Sequence, residues 1–167
     1  MGKYIFEEFA DYNQRANNKM NNIIKGLSED EWDKPFSSYW KSIHELCTHI
    51  YNADYGWLDR FIIFTNPNGF SQKDLEKNFS WSGIKFKNIE NYIKLREELD
   101  EKIKVFVNEI TEDNLNIIIS LTDQEGKIHS KKLGIYLTHM FNHATHSRGQ
   151  ISVYLNMLGN ENDWGSF

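Results

Sequence analysis

The sequence predicts an all-α fold, a four-helix bundle with one long crossover and a small β-hairpin before the last helix. Three observations point there. Only two prolines occur in 167 residues, and proline is the strongest breaker of helical hydrogen bonding. Four long stretches repeat apolar residues at three- and four-residue steps, the period of a helix with one buried stripe. Short helix-helix connections break only once, after the second helix, where a long mixed segment intervenes.

The first helix is expected from about Tyr4 to Gly26, with Phe6, Phe9, Ala10, Asn13, Ala16, Met20, Ile23 and Ile24 on one stripe. Gly26 is its natural stop. Ser28 followed by Glu31 is a capping-box pattern, able to start a short turn of helix before Pro35. The second long helix begins near Ser42, whose hydroxyl can cap while Glu45 reaches back. Ile43, Leu46, Ile50, Ala53, Trp57, Leu58, Phe61 and Ile62 form its apolar face, and it ends before the turn cluster 66–69. Residues 70–87 read as an irregular, aromatic crossover. A third helix follows over about 88–109. Residues 115–121 are β-branched, 123–126 supply a turn and 127–131 resume, which reads as a hairpin. The last helix covers about 133–158 and stops at Gly159-Asn160, leaving a partly aromatic tail that should dock on the body. With no repeat and no linker, residues 1–167 read as one domain. The 18 asparagines read as composition rather than as a functional tract.

Composition sets the outer limits. Apolar residues make up 40% and charged residues 26%, with a mean hydropathy of -0.63, which suits a soluble chain able to bury a core. The net charge of -5 argues against a dedicated nucleic-acid binder, which needs a concentrated positive field. No apolar run is long enough to span a bilayer. The first residues, MGKYIFEEFADYN, lack the apolar core of a signal peptide. A single cysteine, Cys47, fits a reducing compartment, so a cytoplasmic location is expected. Cys47 lies beside the second helix's apolar face and reads as a small buried hydrophobe.

Six histidines are present, three of them within eight residues. His139, His143 and His146 stand at i, i+4 and i+7 on the last helix. At about 100° per residue they fall within roughly 60° of one another. Imidazole suits zinc, nickel, copper or iron(II), and an i, i+4 pair can grip one ion from one side. Further nitrogen must come from another helix. The second helix offers His44 and His49, which point about 140° apart. His49 sits amid the apolar run; His44 lies near the helix start, as a surface or supporting residue. His129, in the hairpin, carries no special reading.

The segment Leu137-Thr-His-Met-Phe-Asn-His-Ala-Thr-His-Ser-Arg-Gly-Gln-Ile151 resembles the last-helix signature of the DinB-like (damage-inducible, YfiT-related) metalloenzymes. Tyr12-Asn-Gln-Arg-Ala-Asn17 resembles that family's first helix. Ser38-Tyr-Trp-Lys-Ser-Ile43, with His49, Asp54 and Trp57, resembles its second. The resemblance implies a four-helix bundle, commonly a homodimer, holding a divalent metal through three histidines. By position, His49 and His143 are two of those ligands, and the third falls on Ser147. Serine is a poor ligand for a divalent transition metal. His146 is the first substitute and His139 the second, because His139 lies further from the level of His49.

The family's relatives imply metal-dependent chemistry of the hydrolase or thiol S-transferase type on a small molecule. The metal would be zinc or nickel, with a low-molecular-weight thiol as a partner in the thiol-dependent cases. Glu45, Asp54, Trp57, Ser147 and Arg148 are expected around the site, with Arg148 paired to Asp54 or Asp59. Gly149 inside the helix is expected to mark a close helix contact. A rival reading follows from Ser147: a metal-free dimeric bundle, stress-related or small-molecule-binding, without catalysis. Direct DNA binding is disfavoured by the acidic charge.

Overall fold

A computed structural model describes residues 2–67, 71–75, 86–123 and 125–164. Helix α1 runs over Lys3–Ile24, and the chain then turns through Gly26, whose amide donates to the Ile23 carbonyl at 2.9 Å. The Ser28 capping box forms as the sequence predicts. The Ser28 hydroxyl accepts from the Glu31 amide, and the Glu31 carboxylate accepts from the Ser28 amide, which starts the single turn α2, Glu29–Trp32. Helix α3, Ile43–Thr65, opens on Ser42. Its hydroxyl accepts from the Glu45 amide at 3.1 Å, but the Glu45 carboxylate takes the Lys41 amide, one residue earlier than a capping box would have it. The helix stops where Asn66 turns left-handed, φ 43°, a conformation that asparagine tolerates better than most residues.

Of the crossover, only residues 71–75 and 86–87 are described; the rest of 70–87, like Asn68 and Gly69 of the turn cluster, lies outside the described residues. Leu75 and Phe86, at its two ends, are both buried. Helix α4 spans Ile89–Glu109, capped by the Asn88 side chain on the Asn91 amide. The hairpin begins later than expected. Leu115 lies in a 3-10 turn, Asn114–Asn116, because Thr111 and Asn114 exchange side-chain bonds with each other's amides and close the chain there. Strands β1, Ile118–Thr122, and β2, Ile128–Lys132, then pair antiparallel with Leu121 opposite His129 and Ile119 opposite Lys131. Asp123 holds the turn by accepting from the Glu125 and Lys127 amides.

Helix α5, Leu133–Met157, follows directly, its first amide bonded to Ile117 of the hairpin approach. Gly159 ends it at φ 85°, a backbone angle that costs glycine nothing. The tail returns to the body as predicted: Trp164 is buried and its carbonyl accepts from the Tyr12 hydroxyl at 3.3 Å. The helices pack chiefly as α1 on α4 and α3 on α5, around a core that includes Phe6, Met20, Leu46, Phe61, Tyr92, Phe106 and Leu137. Among the described residues no helix is long and apolar enough to cross a membrane.

Candidate metal centre

Helices α3 and α5 lie antiparallel: His49 meets His143, and one to two turns further Trp57 meets His139 and Tyr136. At the first level the two Nε2 atoms stand 2.8 Å apart. His49 is fixed from its other side by Trp40, whose ring stacks on the imidazole at 4.3 Å and 29°. Trp40 is itself placed by α5, because the Tyr154 hydroxyl donates to the Trp40 carbonyl at 2.6 Å and the Tyr154 ring stacks on Phe36. A packed segment ahead of α3 thus orients one histidine towards the other.

The electrostatics favour neutral rings. Burial, reinforced by the fields of His143 and His146, lowers the His49 pKa to about 4. Burial, with His139 and His146, lowers that of His143 as well. Neutral imidazole is the form that ligates a metal. At 2.8 Å one Nε2–H donates to the other nitrogen when no ion is held. Two nitrogens each about 2.0–2.1 Å from a tetrahedral zinc stand roughly 3.3 Å apart, so the pair need open by only about 0.5 Å. The donors therefore fit two positions of a metal site. The surroundings of His143 are less complete, since its Nδ1 is buried without a hydrogen-bond partner among the described residues. A ligating histidine ordinarily directs that nitrogen to an acceptor.

The remaining histidines are distributed around the pair. His146 is exposed. His139, also exposed, lies 6.3 Å from the His143 ring, centroid to centroid, and packs edge-on against Trp57. Ser147 is buried. Among the described residues no three His, Cys, Asp or Glu side chains converge on one point. His44 is bound to Asp33 at 2.8 Å and stacked on Trp32, away from the pair. Glu45 is exposed and spent on the Lys41 amide. Cys47 is fully buried, and burial pushes its thiol up, which removes it as a nucleophile.

The expected pairing of Arg148 with Asp54 or Asp59 is replaced by something larger. Arg148 donates to the side-chain carbonyls of Asn13 and Asn17 on α1. Asn17 donates to both oxygens of Asp100 on α4, at 2.9 and 3.0 Å. Arg96, one turn before Asp100, bonds Asp100 at 2.6 Å and Asp54 of α3 at 2.8 Å. All six residues are buried. Asp59 instead accepts from Gln72. The close contact expected of Gly149 is also absent, for a Cβ added there would meet nothing within 4 Å.

Burial outweighs the pull of Arg96 on Asp100 and lifts its carboxyl to about 6. A native pKa raised above the unfolded value means that folding takes up a proton between about pH 4 and 6. The stability tied to protonated Asp100 is therefore full below pH 4 and lost as pH rises through 6. Asp100→Asn should accordingly cost about 2 kcal/mol more at pH 4 than at pH 7, by urea unfolding of both proteins at each pH.

Trp57 and His139 also line a cavity of about 640 Å³ between α3, α5 and the hairpin. Sequence reasoning placed these two near the site but missed His129, which the hairpin register brings to the same cavity.

Comparison with known proteins agrees with this architecture. Residues 1–165 match the model of the DinB family. The chain is 25% identical over 159 residues to "Protein DinB" of Bacillus subtilis (strain 168), covering 95% of this chain and 88% of that one. Its fold is similar to that of a DinB-like protein from Bacillus subtilis, with a TM-score of 0.67 at 17% identity, covering 93% of this chain and 94% of the other. A DinB-like protein from Bacillus cereus ATCC 10987 is similar at a TM-score of 0.57 and 18% identity, over 90% and 91% of the two chains. The match to the family model over residues 1–165, nearly the whole chain, makes this chain a member of the DinB family.

Proposed function

We propose that this chain is a divalent-metal-dependent enzyme of the hydrolase or thiol S-transferase type, acting on a small molecule, with His49 and His143 as metal ligands. The observation that carries this reading is the convergence of two neutral, partly buried imidazoles from different helices, Nε2 to Nε2 at 2.8 Å. A divalent transition ion, zinc or nickel, supplies Lewis acidity at such a site, which lowers the pKa of water or of a small thiol. Trp40 holds the His49 ring and shields it from solvent on one side. The lowered pKa values keep both rings neutral at neutral pH, so an ion has only to displace the single proton shared between the two Nε2 atoms, and not a second, cationic one. His146, or else His139, supplies the third nitrogen by a change of rotamer from its exposed position. The protein works as a cytoplasmic homodimer built from one bundle domain per chain.

A second reading is favoured by one observation, the buried serine at position 147 where the family pattern puts a third ligand. On that reading the bundle is metal-free and binds a small molecule without catalysis. Metal analysis of protein purified without chelators separates the two. We expect about one zinc or nickel per chain in the wild type and less than a tenth of that in His49→Ala and in His143→Ala. Substoichiometric metal in the wild type, unchanged in both variants, would sink the metalloenzyme.

A further inference from the structure

The hairpin carries its side chains the wrong way round for a sheet that only covers a core. In a two-stranded ribbon lying on helices, the inner face should be apolar on both strands and the outer face polar. Strand β1 obeys on its inner face, where Ile119 is fully buried and Leu121 packs against the core, while Ile118 is exposed on the outer one. Strand β2 does not. The register places His129 opposite Leu121 and Lys131 opposite Ile119, on the same inner face, while Ile128 points outwards and is 67% exposed. A register shift of one residue would bury Ile128 instead. The fold keeps a histidine and a lysine facing inwards.

What they face is the 640 Å³ cavity, a size within the ordinary range for small-molecule sites. Its walls are of two kinds. Trp57, Tyr136, Ile135, Leu121 and Ala53 form a flat apolar side, and the rings of Trp57 and Tyr136 lie 5.2 Å apart at 30°. Arg60 and Lys131 supply the charge. The guanidinium of Arg60 lies over the Trp57 ring and donates to the Gly56 carbonyl. Among the described residues the one carboxylate on the wall is Asp123, which is engaged by His129 at 2.7 Å and by two backbone amides. With Arg60 and Lys131 against Asp123, the described lining carries a net positive charge in a chain whose net charge is -5.

Its position relates it to the histidine pair. On α3, Ala53 lies one turn beyond His49, and Trp57 one turn beyond Ala53. On the antiparallel α5, His139 lies one turn from His143, and Ile135 one turn further. The cavity therefore begins one helical turn along the groove from the paired imidazoles and runs from there under the hairpin. A ligand seated against Trp57 could extend its reactive end past His139 to His143.

We infer that this cavity is the pocket for the organic substrate, and that it takes an anion with a flat apolar body, an aromatic carboxylate being the simplest case. Its assignment as the substrate's pocket rests on the metal reading of His49 and His143; its capacity to bind does not. The test is therefore run on protein stripped of metal with chelator. 2-Naphthoate and its uncharged counterpart 2-naphthalenemethanol are titrated by calorimetry into the wild type, Lys131→Glu and Ile135→Trp. Both substitutions are at exposed positions, so the fold should survive them, which circular dichroism checks. Naphthoate should bind at least about tenfold more tightly than the alcohol. Lys131→Glu should weaken naphthoate by about tenfold and the alcohol by less than about twofold, and Ile135→Trp should weaken both. Equal affinity for the two probes, no saturable naphthoate binding at millimolar concentration, or naphthoate affinity untouched by both variants would overturn the inference. Failure of the metal analysis leaves this titration intact, and failure here leaves the metal analysis intact.

Discussion

Arg96→Met should lower the stability of this protein by roughly 3–5 kcal/mol, read from urea unfolding followed by far-ultraviolet circular dichroism. Arg96 is fully buried and bonded to Asp54 and Asp100, which are themselves buried. Burial alone would lower its pKa, but the two carboxylates together hold it above the ordinary arginine value. Methionine matches much of its length and none of its charge, so two carboxylates would lose the cation between them. Their escape is protonation, which costs free energy at neutral pH. The cost arises from leaving the carboxylates without a partner, not from any large net gain in forming the pair. Lys94, two residues before Arg96 on the opposite side of α4 and exposed, is the control: Lys94→Met should change stability by no more than about 0.5 kcal/mol. Equal effects of the two substitutions would mean that the buried cation is compensated some other way.

Ser147→His should tighten zinc binding by more than about a hundredfold, measured by competition with a chromophoric chelator. Loss of a supporting residue near a metal typically costs 10–100-fold, and a direct ligand is worth more. Position 147 lies one turn after His143 on α5 and is buried. An imidazole there would join the existing pair from the same helix face. Enlarging a buried serine adds packing strain of about 1–3 kcal/mol, so the variant should be less stable without metal and recover with zinc. Were zinc affinity unchanged in a folded Ser147→His protein, the third donor would already be supplied from elsewhere, by His146 or His139.

The bundle was legible because helix period, caps and stops agree along most of the chain. Ser28, Ser42, Asn66 and Gly159 mark boundaries by backbone chemistry that acts locally, and the structure uses each of them. Leu115 reads as strand because it adjoins the β-branched run 117–119, while the reciprocal Thr111–Asn114 bonds that delay the strand's start are a matter of turn geometry. The two converging histidines were legible from spacing and resemblance. Their meeting still needed Trp40 and Tyr154, which act across more than a hundred residues of sequence.

The charged network was not legible. Arg96 and Asp100 sit in a run, Lys94 to Lys102, that reads as a solvated helix face. They are buried because partners arrive from two other helices, Asn13 and Asn17 of α1 and Asp54 of α3, and no local pattern reports that. Asn13 is legible as a buried position of the first helix and Asn17 as part of its motif, but no spacing reports that each bonds both Asp100 and Arg148. The cavity was hidden for a related reason: it exists only where the hairpin register meets the α3–α5 groove.

The network of Arg148, Asn13, Asn17, Asp100, Arg96 and Asp54 draws a member from each of α1, α3, α4 and α5. No three of these helices can satisfy it. A state with one long helix undocked leaves at least one charge or amide facing an apolar interior, so partly assembled bundles are penalised far more than the fully assembled one. An all-apolar core would lose its contacts gradually as a helix peeled away. This bundle should instead come apart as one cooperative unit, with the slowest-exchanging amides of all four helices released together.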